Sequence, residues 1–220
     1  MLSGYIHKLI RSTYRHRYQL SGKIAKIEKN NQIEIIKYFK SGSAIEIGDS
    51  IYGSWDPDFF EGDAINQYDN FLTTLRNAFA DRDIDNDGYD DKLIPAGIIW
   101  MQGESDAYHS EETAKKYQAN LKRLMELFRA ALHVDDLPVV IGMITDSGKD
   151  DDGKVMDYYD IVAKAQKNYA ASDPNAAIVT ETKDYKYSDR WHYDSEGFLK
   201  MGKAFSDSIY KLSTNKRQQK

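Results

Sequence analysis

Apolar positions in this chain alternate between two spacings, and the alternation predicts strands followed by helices. Gln-Ile-Glu-Ile-Ile-Lys-Tyr-Phe over 32–39 reads as a strand. Over 66–80, Tyr68, Phe71, Leu72, Leu75 and Phe79 share one face of a helix. Ala-Gly-Ile-Ile-Trp-Met over 96–101 is apolar throughout, as expected of a strand covered on both faces. Ser110 is placed to cap a long helix whose Tyr117, Leu121, Leu124, Met125 and Phe128 form a stripe. Glu111 and Glu112 suit the positive end of that helix. A buried strand over 137–144, a helix over 154–171 and a short strand over 177–180 follow. A last helix starts near Asp194 and turns Phe198, Met201, Phe205, Ile209 and Leu212 inward. The polar stretch 213–220 is expected to be a disordered tail.

Strand–helix alternation of this kind predicts an α/β domain, a four-strand parallel sheet with helices on both faces. Sites in such sheets lie beyond the C-terminal ends of the strands. The loops 40–58, 102–109 and 181–193 leave strands at that end. The division expected is a basic helical segment over 1–31, the α/β domain over 32–212 and the tail.

Composition adjusts this picture in a few places. A length of 220 residues suits one α/β domain, with 41 % hydrophobic and 30 % charged residues for a packed core and a solvated surface. No apolar window is long enough for a transmembrane helix, and the N-terminus lacks the pattern of a secretory signal. Taken literally, the chain begins in the cytosol. The absence of cysteine excludes disulfides, thiolate nucleophiles and cysteine metal sites. The net charge of −5 is unevenly spread, because residues 1–30 carry +6 and the remainder −11. The basic arm has two readings, a nucleic-acid contact or a solvated helix face. The second is preferred, since the acidic remainder repels a phosphate backbone. Neither nucleic acid nor membrane is expected as a partner.

Two short segments carry the candidate chemistry. Gln102-Gly103-Glu104-Ser105-Asp106 directly follows the strand over 96–101. A carboxamide at a strand end can donate N–H to a developing oxyanion, and the adjacent glycine leaves room for substrate. Glu104 and Asp106 are placed to brace that loop through backbone N–H groups. In Asp189-Arg190-Trp191-His192, a carboxylate three residues before an imidazole can hold one ring nitrogen and leave the other as a base. His7, His16, His109 and His133 lie in contexts that offer no such partner.

Together these segments resemble the SGNH (GDSL-like) hydrolases, in the branch of sialate O-acetylesterases and carbohydrate esterase family 6. The resemblance rests on Ile98-Ile99-Trp100-Met101-Gln102-Gly103-Glu104-Ser105-Asp106, on Asp189 to Gly197, and on Ile35 to Ser43, and it spans roughly residues 30–212. It implies a three-layer, flavodoxin-like α/β/α hydrolase and an acetylated carbohydrate as substrate. It implies His192 as base, Asp189 as its orienting acid, and Gln102 and Gly42 as oxyanion donors. Glu104 would contact substrate, and the reaction needs no cofactor. Complete members of the family are often secreted or periplasmic.

One part of the resemblance fails. The family's nucleophile lies in a Gly-Gln-Ser-Asn type string ending the first, central strand, and nothing in residues 1–31 matches it. Weak or absent hydrolysis is therefore expected, with a non-catalytic carbohydrate- or protein-binding remnant as the alternative. Ser41 and Ser43 offer a substitute hydroxyl in principle, but a loop that serves only to bind the oxyanion through Gly42 is the preferred reading. Without the central strand, exposed sheet edges are expected to favour self-association.

Two further features remain open. Asp83, Asp85, Asp87 and Asp91, with Gly88 in the sixth place, have the alternating spacing of a calcium loop. The twelfth position is Ile94, so the usual closing glutamate is missing, and a plain solvated acidic connection is the other reading. Trp55 and Trp191 are placed at the cleft, where ring faces suit sugars. The alternative is that each packs beneath its own loop.

Overall fold

The protein was analysed as a computed structural model, which describes residues 33–46, 52–60 and 65–218. The basic arm over 1–31 lies outside them. Three strands pair in parallel in the order β1 (Ile98–Trp100), β2 (Val139–Gly142) and β3 (Ala176–Val179). Five α-helices accompany them among the described residues: α1 (Gln67–Ala80), α2 (Glu104–His109), α3 (Glu111–Ala131), α4 (Tyr159–Ser172) and α5 (Ser195–Gln218). A 3₁₀ turn spans Glu181–Asp184.

Side chains alternate across a strand with period two, and β2 separates the core accordingly. Val139 and Ile141 join one cluster with Trp100, Tyr117, Leu121, Met125, Phe128 and Val162, drawn largely from α3 and α4. Val140 points the other way and meets Val179, Met201, Phe205 and Ile209 beneath α5. This is the three-layer α/β/α arrangement. β2 is buried at every position, as befits the middle strand of a sheet covered on both faces.

Local chemistry fixes the helix starts. The Ser110 hydroxyl accepts from Thr113 N at 3.1 Å and caps α3 as expected. The Asn66 side chain does the same for α1 through Asp69 N. Asp146 holds Val155 N and Met156 N on its carboxylate, so α4 begins at Tyr159, later than the apolar spacing predicts.

The stretch expected as a first strand is not one. Residues 33–40 make no ladder, and among the described residues the sheet has three strands in place of four. A strand pattern needs a partner edge, and this segment is held by side chains instead. The Tyr38 ring meets Trp55 edge-on at 5.5 Å, and its hydroxyl donates to Gln67 Oε1. Among the described residues, parallel pairing here takes the form of isolated bridges from Ala44 to Ser54 and from Ser54 to Asn66. Phe79 and Phe198, expected in the core, are 44 % and 40 % exposed. The tail expected to be disordered is helical through Gln218. No helix among the described residues is long and apolar enough to cross a membrane.

Candidate functional site

The loops after β1, β2 and β3 leave the same end of the sheet, and the candidate residues gather there. The last of these loops folds into a tight hairpin. Tyr187 and Tyr193 form an antiparallel bridge, and Ser188 N donates to His192 O at 2.9 Å. Within the turn, Asp189 Oδ1 accepts from Trp191 N at 2.7 Å and from His192 N at 2.8 Å. The carboxylate that caps the turn also meets His192 Nδ1, at 3.0 Å from Oδ1 and 2.9 Å from Oδ2. The Trp191 backbone N–H, the His192 ring and the His192 N–H together pull the Asp189 carboxyl down to about 2. The pairing fixes the tautomer, with the proton on Nδ1 and Nε2 left open as a base. Among the described residues, the His192 ring has this one hydrogen-bond partner.

Neighbouring elements aim the hairpin. Thr145 Oγ1, just past β2, lies 2.7 Å from both the Tyr187 and Tyr193 hydroxyls. Ser147 Oγ donates to Arg190 O at 2.8 Å, Lys149 Nζ donates to Tyr187 O at 2.9 Å, and Arg190 pairs with Asp150. Sequence reasoning missed these tethers, because none lies in a motif.

Gln102 sits just past the end of β1 with its carboxamide and its carbonyl oxygen committed. Its Nε2 donates to Ser43 O at 3.1 Å and to Asp106 Oδ2 at 2.6 Å. Its Oε1 accepts from Tyr117 Oη at 3.2 Å, while its carbonyl accepts from Tyr117 Oη and Gln166 Nε2. Gly103 follows with φ +142°, and a Cβ there would lie 3.0 Å from Val162 Cγ1, so glycine alone fits. Asp106 is fully buried and gathers N–H groups from Ile45, Glu46 and Gln102. Its backbone donors come from the segment after Gly42, so it braces that segment against Gln102 where bracing of its own loop was expected. Burial outweighs these donors and raises its carboxyl to about 6.

Gly42 precedes this braced segment with φ +73°. The Tyr52 ring occupies the place of a side chain, 2.7 Å from where a Cβ would stand. Ser43 is 3 % exposed, donates to Lys40 O and accepts from Trp55 Nε1 at 3.0 Å. That hydroxyl is a strut, unsuited to nucleophilic attack.

Glu104 opens α2 on the same side of the sheet as His192. Burial raises its carboxyl, with Asp106 adding to the effect and the His192 imidazole opposing it. Trp191 is 39 % exposed and meets Tyr108 of α2 edge-on at 5.5 Å. The structure thus brings Gln102, Glu104, Asp189, Trp191 and His192 to one end of the sheet, with the segment after Gly42 tied in through Ser43 O. Trp55 does not face the cleft. It is 4 % exposed and packs edge-on against Trp100 at 5.0 Å and Phe128 at 6.1 Å. Its flanking Gly-Ser and Asp-Pro mark a turn, and sequence alone does not show that the ring folds beneath it.

The acidic loop precedes β1 and so leads into the opposite end of the sheet. Asp83, Asp85 and Asp91 each offer a carboxylate oxygen within 4.8 Å of the others. Asp87 is not in that group, and its Oδ1 accepts from Tyr89 N. Oxygen donors of this kind fit a calcium ion. The loop also closes on itself, since Asp83 accepts from Asp87 N and Gly88 N and Asp91 accepts from Ile84 N.

Comparison with known proteins bears on this arrangement. Residues 18–211 match the family described as carbohydrate esterase, sialic acid-specific acetylesterase. Among curated proteins no sequence matches. The X-ray structure of a protein from Arabidopsis thaliana is similar with a TM-score of 0.52 at 22 % identity, over 71 % of this chain and 55 % of that one. The likeness is one of fold, and the chain spans just over half of that protein's length. A carbohydrate acetylesterase from Xanthomonas citri gives a TM-score of 0.40 at 18 % identity, over 52 % of this chain and 26 % of that one.

Proposed function

The chain belongs to the sialic acid-specific acetylesterase family of carbohydrate esterases, and from that premise we propose that its site performs acetyl-ester hydrolysis on carbohydrate by serine-hydrolase chemistry. The observation that carries the proposal is the Asp189–His192 pair, held at 2.9 Å on the loop after β3. His192 Nε2 takes the proton of a serine hydroxyl as that oxygen attacks the acetyl carbonyl. Asp189 stabilises the imidazolium that forms. The Gly42 N–H and the Gln102 carboxamide receive the tetrahedral oxyanion. For Gln102 this means giving up the 3.1 Å bond to Ser43 O, the longer of its two donor contacts. Collapse expels the sugar hydroxyl, which regains the proton from His192. Water, deprotonated by the same imidazole, then releases acetate from the acyl-enzyme. Glu104 and Trp191 contact the sugar.

The nucleophile is not Ser43, whose hydroxyl is buried and doubly bonded. We therefore propose that turnover by these 220 residues is weak, and that the Asp189–His192 pair acts fully with a serine presented from a Gly-Gln-Ser-Asn type turn. The 83–91 loop is proposed to hold calcium as a structural ion with no part in the reaction. The direct test is acetate release from an acetylated carbohydrate, comparing the chain with His192→Ala. A slow release abolished by the substitution supports the esterase. Release that survives it, or none with a competent serine turn in place, favours a carbohydrate-binding role.

A further inference from the structure

Tyr108 and Trp191 come from different elements and meet at the rim of the site. Their ring planes are inclined by 72°, with centroids 5.5 Å apart. Both rings are open to solvent, 53 % exposed for Tyr108 and 39 % for Trp191. Exposed aromatic rings standing as a pair are costly unless something covers them, because their apolar area remains in water. The pair is adjacent to the proposed chemistry on both sides. Trp191 directly precedes His192, and Tyr108 lies one helical turn beyond Glu104.

Two planes at a steep angle make a corner. A pyranose ring fits such a shape, with its C–H face on one aromatic face and its edge on the other. The charge around the corner decides which sugar. The segment 146–157, tied to the hairpin through Ser147 and Asp150, carries five aspartates against Lys149 and Lys154. α2 contributes Glu104 with no lysine or arginine. Arg190, the cation nearest in sequence to Trp191, is already paired with Asp150. An anionic sugar would meet like charge on each side without a free guanidinium to receive it.

We propose that Tyr108 and Trp191 form a stacking corner that seats an uncharged sugar ring beside His192, and that this corner selects neutral acetylated carbohydrate over acetylated sialic acid. The inference rests on the esterase reading for the place of the ester bond, and it adds Tyr108 as a specificity-determining residue.

The tryptophans make the test direct. Trp55 and Trp100 are 4 % and 6 % exposed, so acrylamide quenching of the chain's fluorescence reads Trp191. A mono-O-acetylated methyl glucopyranoside is expected to protect Trp191 from acrylamide, and 9-O-acetyl-N-acetylneuraminic acid is not. Tyr108→Ala is expected to lose the protection and Tyr108→Phe to keep it, both with an unchanged melting temperature. Tyr89→Ala, on the remote acidic loop, serves as control. Equal protection by the two sugars, or full protection in Tyr108→Ala, overturns the proposal. A melting temperature lowered in Tyr108→Ala is met by Tyr108→Leu, which fills the space without a ring and should also lose protection. Protection without His192-dependent acetate release, once a competent serine turn is in place, would sink the esterase reading and leave the corner standing. Release without protection would do the reverse.

Discussion

Gln102 and Asp106 stand one helical turn apart and share a 2.6 Å hydrogen bond from the carboxamide to the carboxylate. Through it, the end of β1 and the segment after Gly42 become one unit, since Asp106 also holds Ile45 N and Glu46 N. A single buried carboxylate therefore ties Gln102 to the segment that follows Gly42.

That carboxylate should leave a signature in the pH dependence of stability. Its folded pKa, about 6, lies above the ordinary 3.8. Between these values the folded chain holds a proton that the unfolded chain has lost. Stability from this group is thus fully present below about pH 4 and falls as the pH rises to 6. Relative to Asp106→Asn, the wild-type chain should lose on the order of 3 kcal/mol across that window. Urea denaturation of both proteins from pH 4 to 7 measures the difference, and a flat difference would contradict it.

Asp189 predicts the opposite behaviour. Its carboxyl is held down near 2 by the turn and by His192, so it stays ionised throughout the working range. Its contribution to the turn is present above the ordinary carboxylate pKa and is lost only as the pH falls toward 2. Any His192-dependent hydrolysis should accordingly carry no ionisation from Asp189 across the working range. An ionisation in that range that disappears in Asp189→Asn would show that the carboxylate titrates there.

Hydrolysis of p-nitrophenyl acetate should be barely above background. Serine hydrolases stripped of one triad member retain only about 10³–10⁴-fold catalysis over water. A fluorophosphonate probe should leave the chain unlabelled, and Ser43→Ala should not alter the residual rate. Labelling at Ser41 or Ser43 would identify a relocated nucleophile.

Calcium should raise the melting temperature, because an ion that binds only the folded loop stabilises it. The carboxylates of Asp83, Asp85 and Asp91 should then lie about 2.3–2.6 Å from the ion in a bound structure. Asp83→Asn should abolish the shift while leaving acetate release unchanged. No shift between millimolar calcium and chelator would identify a plain acidic connection.

Features written in neighbouring residues were legible from sequence. Ser110 caps α3 because a cap needs only its own first turn, and Asp189 meets His192 because the turn between them is four residues long. The stripe from Tyr117 to Phe128 is buried because helical spacing alone places it on one face. What was not legible depends on partners distant in the chain. The apolar alternation of 32–39 is that of a strand, but nothing in it shows whether an edge is available. Trp55 and Trp191 stand in similar polar loops, and only packing decides that one is core and the other rim. Gln166 reads as an ordinary polar position of α4, yet it is fully buried, accepting from Ile144 N and donating to Gln102 O.

The hairpin that carries Asp189 and His192 has one further consequence. In many active sites the base and its orienting acid come from separate parts of a fold, and their spacing depends on the whole structure staying rigid. Here both sit on one short turn whose own N–H groups hold the carboxylate. The internal geometry of the pair is therefore a property of that turn, and the rest of the protein determines only where it points. Such a part can be transplanted. Grafted between the two strands of an unrelated hairpin of matching width, residues 187–193 should keep an imidazole with its tautomer already set.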